Sequence, residues 1–323
     1  MTRPFARLRV AGAVAAIALI AAACSNGGGG STAPTGLEKT NLTVAAVPAL
    51  DSAGLYIAEQ DGLFAAEGLH VKIVPAISSA TVIAAQLKGQ YDVTVGAYVS
   101  YMLADALQHA NLRIIAPGSD MAPLTQEVLV PAGSPIQNVG GLKGQRIGVN
   151  ALNNIGTLLV SVLLQDNGVS PSDVKFVPIP FPLMAKALQT HQVNAAWEPE
   201  PFVTGSEESI GATAIADADQ GSAQNLPVSG YIATQSWLDK YPNTAAAFRR
   251  AVIKAQSIAN TDLAAVQRGM VAFGGVSLTT AQIAEAPTYP LQTNVALLQR
   301  VANLMEQLGM TQQIFNVNPM IRN

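Results

Sequence analysis

The chain reads as an α/β protein of two lobes, each a mostly parallel sheet covered by helices, with a cleft between them. Three observations predict this. Short apolar runs alternate with helical-period segments that close on glycine. The alternation is written twice, about a hundred residues apart, at Ser79 to Tyr98 and Phe181 to Phe202. Aromatics are only 5% of the chain and alanine is abundant, which favours helix-covered sheets over an all-β fold.

Leu42 to Pro48 and Arg146 to Asn150 each read as a first strand. Gly54 to Glu67 and Gly156 to Asn167 each read as a helix, closed by Gly68 and Gly168. His70 to Pro75 and Asp173 to Pro178 follow as second strands. A helix ending at Gly89 and another at Leu183 to Thr190 lead into third strands, the latter Val193 to Trp197. Gln90-Tyr91-Asp92-Val93 is echoed by Gln192-Val193-Asn194-Ala195. Two β-α-β-α-β copies make two open sheets, and ligands of such sheets sit beyond the carboxyl ends of the strands. Two copies facing each other put those ends on either side of one cleft.

At the start, Arg3, Arg7 and Arg9 precede the apolar run Val10 to Ala23, which ends Ala21-Ala22-Ala23-Cys24. These are the marks of a secretory signal, and the run is short for a bilayer-spanning helix. Cys24 is the only cysteine and stands at the cleavage point, so no disulfide is expected. The arrangement resembles the bacterial lipoprotein box. That resemblance implies a signal peptide at 1–23, lipidation of Cys24 and anchoring to the outer face of the cell membrane, or to its periplasmic face. Ser25 to Thr40 is glycine- and serine-rich and reads as a flexible tether, 24–40. The folded part then divides as 41–124 with 240–323 in one lobe and 125–239 in the other. The chain has 18 basic and 21 acidic residues; losing the three signal arginines leaves 15 against 21, a charge of −6. This acidity argues against a nucleic-acid partner.

Tyr56-Ile57-Ala58, Gly62-Leu63-Phe64 and Glu67-Gly68-Leu69 stand in an order that resembles the solute-binding proteins of bacterial ABC importers, in the sulfonate, taurine, nitrate and thiamine-precursor (SsuA/THI5-like, NMT1) group. Val139 to Val149, Glu200-Pro201 and the segment from Leu226 to Pro242 carry the resemblance on. It implies a two-lobed periplasmic-binding-protein fold of type II and an exported monomer. Such a protein captures a small organic solute of the sulfonate, taurine or nitrate kind by hinge closure and hands it to the permease subunits of an importer. A thiamine-precursor pyrimidine or other planar heterocycle is the alternative ligand. A sensor for a membrane receptor is a reading of another class.

Candidate ligand contacts follow the strand ends. Asp51 and Ser52 lie between the first strand and its helix, where a side chain can cap the helix or meet a ligand. Ser78, Ser79 and Thr81 open the next helix, whose positive end favours an anion. Gly96 lets a ligand approach the backbone and Tyr98 offers a ring. Asn153, Asn154 and Thr157 are the second copy's counterpart, again as caps or contacts. Trp197, Glu198 and Glu200 end the third strand of that copy. Trp197 suits ring stacking or core packing. A carboxylate of Glu198 facing the cleft would demand an amine or ring N–H on the ligand, and Glu200 suits backbone N–H groups.

No catalytic residue, cofactor or metal site is expected. Val139 to Val149 lacks the Gly-Lys-Ser/Thr that closes a phosphate loop. His191 has no second histidine or cysteine beside it to suggest a metal. The eukaryotic thiamine-pyrimidine synthases share the group's fold but depend on histidine and a cysteine-rich iron motif. This chain has three scattered histidines and one cysteine. At the C-terminal end, Phe248, Ala251, Val252 and Ala255 give an apolar face, while Arg249, Arg250 and Lys254 read as solvated. The last helix, Leu291 to Leu308, is expected to pack on the first lobe through Leu297, Leu298, Val301 and Leu304, and hinges are expected near Thr125 and Thr234.

Overall fold

The computed structural model describes residues 36–322. In chain order the first run is β1 (Asn41–Ala46), α1 (Ala53–Gln60), α2 (Leu63–Ala66), β2 (His70–Pro75), α3 (Ser79–Leu87), β3 (Val93–Ala97), α4 (Tyr98–Gln108) and β4 (Leu112–Pro117). The chain then crosses to β5 (Gln126–Val130), β6 (Arg146–Val149), α5 (Ile155–Asp166), β7 (Lys175–Pro178), α6 (Phe181–Gln189), β8 (Ala195–Pro199), α7 (Phe202–Ile210) and β9 (Thr213–Asp217). It returns through β10 (Ser229–Thr234), α8 (Gln235–Lys240), α9 (Pro242–Ala259), α10 (Leu263–Gly269), α11 (Leu278–Ile283) and α12 (Val295–Gln307).

The two sheets have the same plan. One runs β2-β1-β3-β10-β4 and the other β7-β6-β8-β5-β9. In each, the fourth strand is antiparallel to its neighbours and the rest are parallel. That antiparallel strand is the one the chain forms just after leaving the other lobe. Both crossovers are therefore exchanges: β4 hands over to β5, and β9 hands over to β10. The crossovers are also zipped together, Gly118 N to Ser229 O at 2.9 Å, Val228 N to Ser119 O at 2.8 Å and Met121 N to Leu226 O at 2.9 Å.

Several sequence expectations are corrected. β10 belongs to the first sheet, so the boundary expected at 239 lies before Ser229, and the second crossover lies at 218–228, ahead of Thr234. The stretch read as tether to Thr40 is already folded at its end. Glu38 accepts from Asn243 N at 3.1 Å and Thr244 N at 3.0 Å, capping α9. The helix expected over Gly54 to Glu67 is broken into α1 and α2 at Gly62, whose φ of +67° is a left-handed turn that glycine takes without strain. The last helix is not confined to the first lobe. α12 packs on α4 and on α5, burying Leu298, Val301, Ala302 and Met305 in the same apolar cluster as the second lobe's core. Leu298, Val301 and Met305 each contribute about 1.5–3 kcal/mol by removal from water. Strands β4 and β9 and helices α7, α10 and α11 were not foreseen. The signal and lipidation readings at 1–24 lie outside the described residues. Among the described residues no helix is long and apolar enough to cross a membrane.

Candidate functional site

The carboxyl ends of the parallel strands face each other across the lobes, as the repeated sequence predicts. Contact across the gap is direct. Leu50 N, just after β1, donates to Glu200 O, just after β8, at 3.1 Å. Thr280 Oγ1 of α11 also donates to Glu208 Oε2 of α7 at 2.6 Å. These bonds join the two lobes at the strand ends.

On the first lobe, Asp51 is half-buried beside the Leu50–Glu200 bond. Its Oδ1 accepts from Ser119 Oγ at 2.7 Å, and Ser119 Oγ lies 3.0 Å from Ser229 Oγ. Ser229 Oγ in turn donates to Asp51 O at 3.3 Å and accepts from Ser119 N at 3.1 Å. Ser119 lies on one crossover and Ser229 at the end of the other, so the Asp51 carboxylate is tied to both crossovers. Burial pushes the Asp51 carboxyl up to about 6, against the pull of the Ser119 hydroxyl. Asp120, next in the crossover, is pushed up to about 6 by burial. Tyr289 Oη donates to Leu50 O at 3.2 Å and backs this corner.

The other first-lobe candidates make bonds or close contacts within the fold. Ser52 Oγ donates to Val47 O at 2.9 Å. Ser78 caps α3 by accepting from Thr81 N, and Thr81 Oγ1 donates to Ser78 O at 2.7 Å. Ser79 Oγ accepts from Ala97 N at 2.8 Å, tying α3 to the end of β3. Gly96 is needed there because a Cβ would come within 2.2 Å of that hydroxyl. The Tyr98 ring is buried against Gly230, where a Cβ would stand 2.4 Å from it.

On the second lobe, Asn154 and Thr157 form a capping box at α5. Asn154 Oδ1 accepts from Ile155 N at 2.7 Å, and Thr157 Oγ1 accepts from Asn154 N at 3.0 Å. Asn153 is exposed, with φ +54°. With Leu152 it lines a cavity of about 300 Å³ whose far wall is Ala80 and Ile83 of α3 and Ser100 and Leu103 of α4. Trp197 is 2% exposed. It is packed so closely on α5 that a Cβ on Gly156 would stand 2.4 Å from its ring, and it meets Phe181 at 5.7 Å.

Glu198 points to the opposite face of β8, under α7, and is fully buried. Both its oxygens accept from Ser206 Oγ, at 2.8 and 3.1 Å. Burial raises its carboxyl to about 8; the Ser206 hydroxyl opposes this and the charge of Glu200 adds to it. Glu200 accepts from Thr204 Oγ1 at 2.7 Å and Thr204 N at 3.2 Å, and burial holds it at about 7. The register sets Glu127 of β5 directly opposite Glu198, with Asp217 of β9 opposite Glu127. Glu127 is pushed up to about 7 by burial first and then by Glu207, Asp217 and Glu200.

The segments that end the strands at the cleft are 47–52, 76–81, 97–101, 117–125, 149–157, 178–184, 198–206, 217–229 and 284–290. They hold Asp51, Asp120, Glu198, Glu200, Asp217, Asp219 and Glu285, and no lysine, arginine or histidine. Sequence reading missed Ser119, Ser229, Asp120 and Glu127. The run Pro117-Gly118-Ser119-Asp120 after an apolar strand was the available signal. Among the described residues no group of three or more His, Cys, Asp or Glu is placed to hold a metal ion.

Two like-built lobes, joined by paired crossovers and closed strand end to strand end, define a protein of the periplasmic-binding-protein fold. The chain belongs to the NMT1/THI5-like family, whose model matches residues 49–262. No curated protein matches it significantly. Among solved structures it is similar to the alkanesulfonate-binding protein SsuA from Xanthomonas axonopodis pv. citri bound to MOPS, at 16% identity and TM-score 0.76, covering 89% of this chain and 99% of that one. A Candida albicans protein described as having the generic periplasmic binding protein fold matches at 15% identity and TM-score 0.74, covering 88% and 96%. The periplasmic nitrate-binding protein NrtA from Synechocystis PCC 6803 matches at 14% identity and TM-score 0.66, covering 76% and 69%.

Proposed function

We propose that this chain is the extracytoplasmic solute-binding component of an ABC importer, anchored through a lipid on Cys24 and working as a monomer. It captures a small organic solute by hinge closure, delivers it to permease subunits and catalyses no reaction. The observation that carries this reading is the Leu50–Glu200 bond between the strand ends of two lobes joined only by crossovers and packed helices. A ligand seated there meets both lobes only in the closed form, and so favours closure.

For the solute, the sequence reading put a sulfonate, taurine or nitrate-type anion first. The lining favours the alternative, a planar heterocycle or other solute that carries N–H donors. The strand-end segments carry Asp51 and Asp120 among their acids and hold no cation to pair with a bare anion. Asp51, Asp120 and Asn153 are the side chains we assign to the solute.

The test is thermal shift of the full chain with matched probes: taurine against ethanesulfonate, and 4-aminopyrimidine against pyrimidine. The amine-bearing member of a pair should raise the melting temperature by about 5 °C or more at a hundredfold excess over Kd. Stabilisation by ethanesulfonate or nitrate alone would sink the ligand assignment and leave the importer role standing. Loss of the membrane-associated fraction in Cys24→Ser tests the anchor.

A further inference from the structure

The cations missing from the cleft gather elsewhere. A cavity of about 460 Å³ opens over the outer edge of the first sheet, lined by Ile115, Gln235, Leu238, Pro242, Arg249 and Arg322 among others. It lies away from the cleft. β4 runs toward the cleft and β10 runs back from it, so Gln235, the residue after β10, marks the remote end of the sheet.

Among the described residues, Arg113, Arg249 and Arg322 form no ion pair with a carboxylate. Arg322 donates to Gln235 Oε1 at 2.6 Å, and Arg113 donates to the same oxygen at 2.8 Å and to Asn111 Oδ1 at 2.5 Å. Arg249 enters none of the ion pairs of the described residues, and its Nε is buried without a hydrogen-bond partner. Arg250, at the rim, is neutralised by Glu67 at 2.6 Å. The single acid in the lining, Asp239, accepts from Gln235 Nε2 at 2.7 Å.

A guanidinium is a planar fork that matches an oxyanion with two parallel N–H bonds, and a buried N–H left unpaired, as at Arg249 Nε, is costly. On a chain with 21 acids against 18 bases, such a spot is a local reversal of the overall field. The remaining wall is apolar: Ile115, Leu238, Pro242, Ala245 and Ala246. We propose that this cavity is a second binding site, separate from the cleft, for an amphiphilic oxyanion. Arg249 and Arg322 hold its phosphate or sulfonate head, and the β4–α8–α9 wall takes its apolar tail. The head could be that of a soluble alkyl anion or of an anionic lipid in the membrane beside which the protein works, the latter resting on the importer reading.

Calorimetry on the full chain carrying Cys24→Ala, with octyl phosphate as probe, tests this. One mole should bind per chain. Arg249→Gln and, at the exposed terminus, Arg322→Gln should each weaken binding at least tenfold. Inorganic phosphate should bind at least tenfold more weakly, for want of a tail. Asp51→Asn in the cleft should change nothing beyond twofold, which separates this site from the solute site. Flotation with phosphatidylcholine vesicles, with and without one-quarter phosphatidylglycerol, separates the two sources. Arginine-dependent capture by the anionic vesicles assigns the lipid, and binding of the free anion alone assigns a soluble ligand. Absence of octyl phosphate binding, equal binding by both arginine variants, or equal binding of inorganic phosphate would overturn the proposal.

Discussion

Asp51 and Glu198 each stand at the end of a parallel strand, each is buried enough to raise its carboxyl, and each is satisfied by serine hydroxyls. They differ in where the serine comes from. Glu198 takes Ser206, eight residues on in the helix of its own lobe. Asp51 takes Ser119, 68 residues on in a crossover, and through it Ser229 in the other crossover. The same device is internal reinforcement in one lobe and a tie between strand end and crossovers in the other. Position in the topology, not residue type, decides whether a buried carboxylate braces one lobe or reaches the crossovers.

The largest expected effect checks whether the end of β8 is architecture. Trp197→Ala should cost about 3–5 kcal/mol of stability, because the ring fills the space left by Gly156. Denaturant unfolding that showed no loss would break the comparison on the second-lobe side. Next comes Glu198→Gln. The folded-state carboxyl is raised from an ordinary 4.5 to about 8, so the folded protein binds the proton more tightly than the unfolded chain. Its stabilising share is present below the unfolded value and is lost as pH rises from about 4.5 to 8. The wild type should therefore melt lower at pH 8 than at pH 5. The glutamine variant should flatten this slope and gain on the order of 2 kcal/mol at pH 8. An unchanged slope would show that Glu198 does not carry it. The smallest effect sharpens the contrast. Ser119→Ala and Ser206→Ala should each cost about 1–2 kcal/mol. Only Ser119→Ala should also widen the interlobe distance distribution, read by paired spin labels on α3 and α6. Equal distributions for both variants would remove the distinction between Asp51 and Glu198.

Much of the fold was legible because its signals are local. Gly68, Gly89 and Gly168 each take positive φ where the sequence predicted helix ends, and His70 to Pro75 forms the predicted strand residue for residue. The fourth and fifth strands of each sheet were less legible, since their pairing depends on the exchange at the crossovers and not on local pattern. The same divide runs through the site. Ser79, Asn154 and Thr157 have the residue types and spacing of ligand contacts, but cap and contact look alike in sequence. The structure shows Ser79 bonded to Ala97 N and Asn154 to Ile155 N within the fold. Ser119 and Ser229 are 110 residues apart and meet only because the crossovers pair. Arg249 read as solvated from its helical position, and its half-buried place came from β4 and the C-terminal residues closing beside it.

The exchange of fourth strands also sets an order of assembly. The strands of the second sheet all lie within 126–217, so that sheet is complete once one continuous stretch of chain has emerged. The first sheet has β4 at its edge but lacks the strand that joins β4 to β3 until residues 229–234 arrive. Until then the edges of β3 and β4 are open to stray pairing. Closing that gap requires a loop through the entire second lobe, and a loop already folded into a compact lobe costs less entropy to close than a free chain of the same length. The lobe made second is therefore the template on which the lobe begun first is finished.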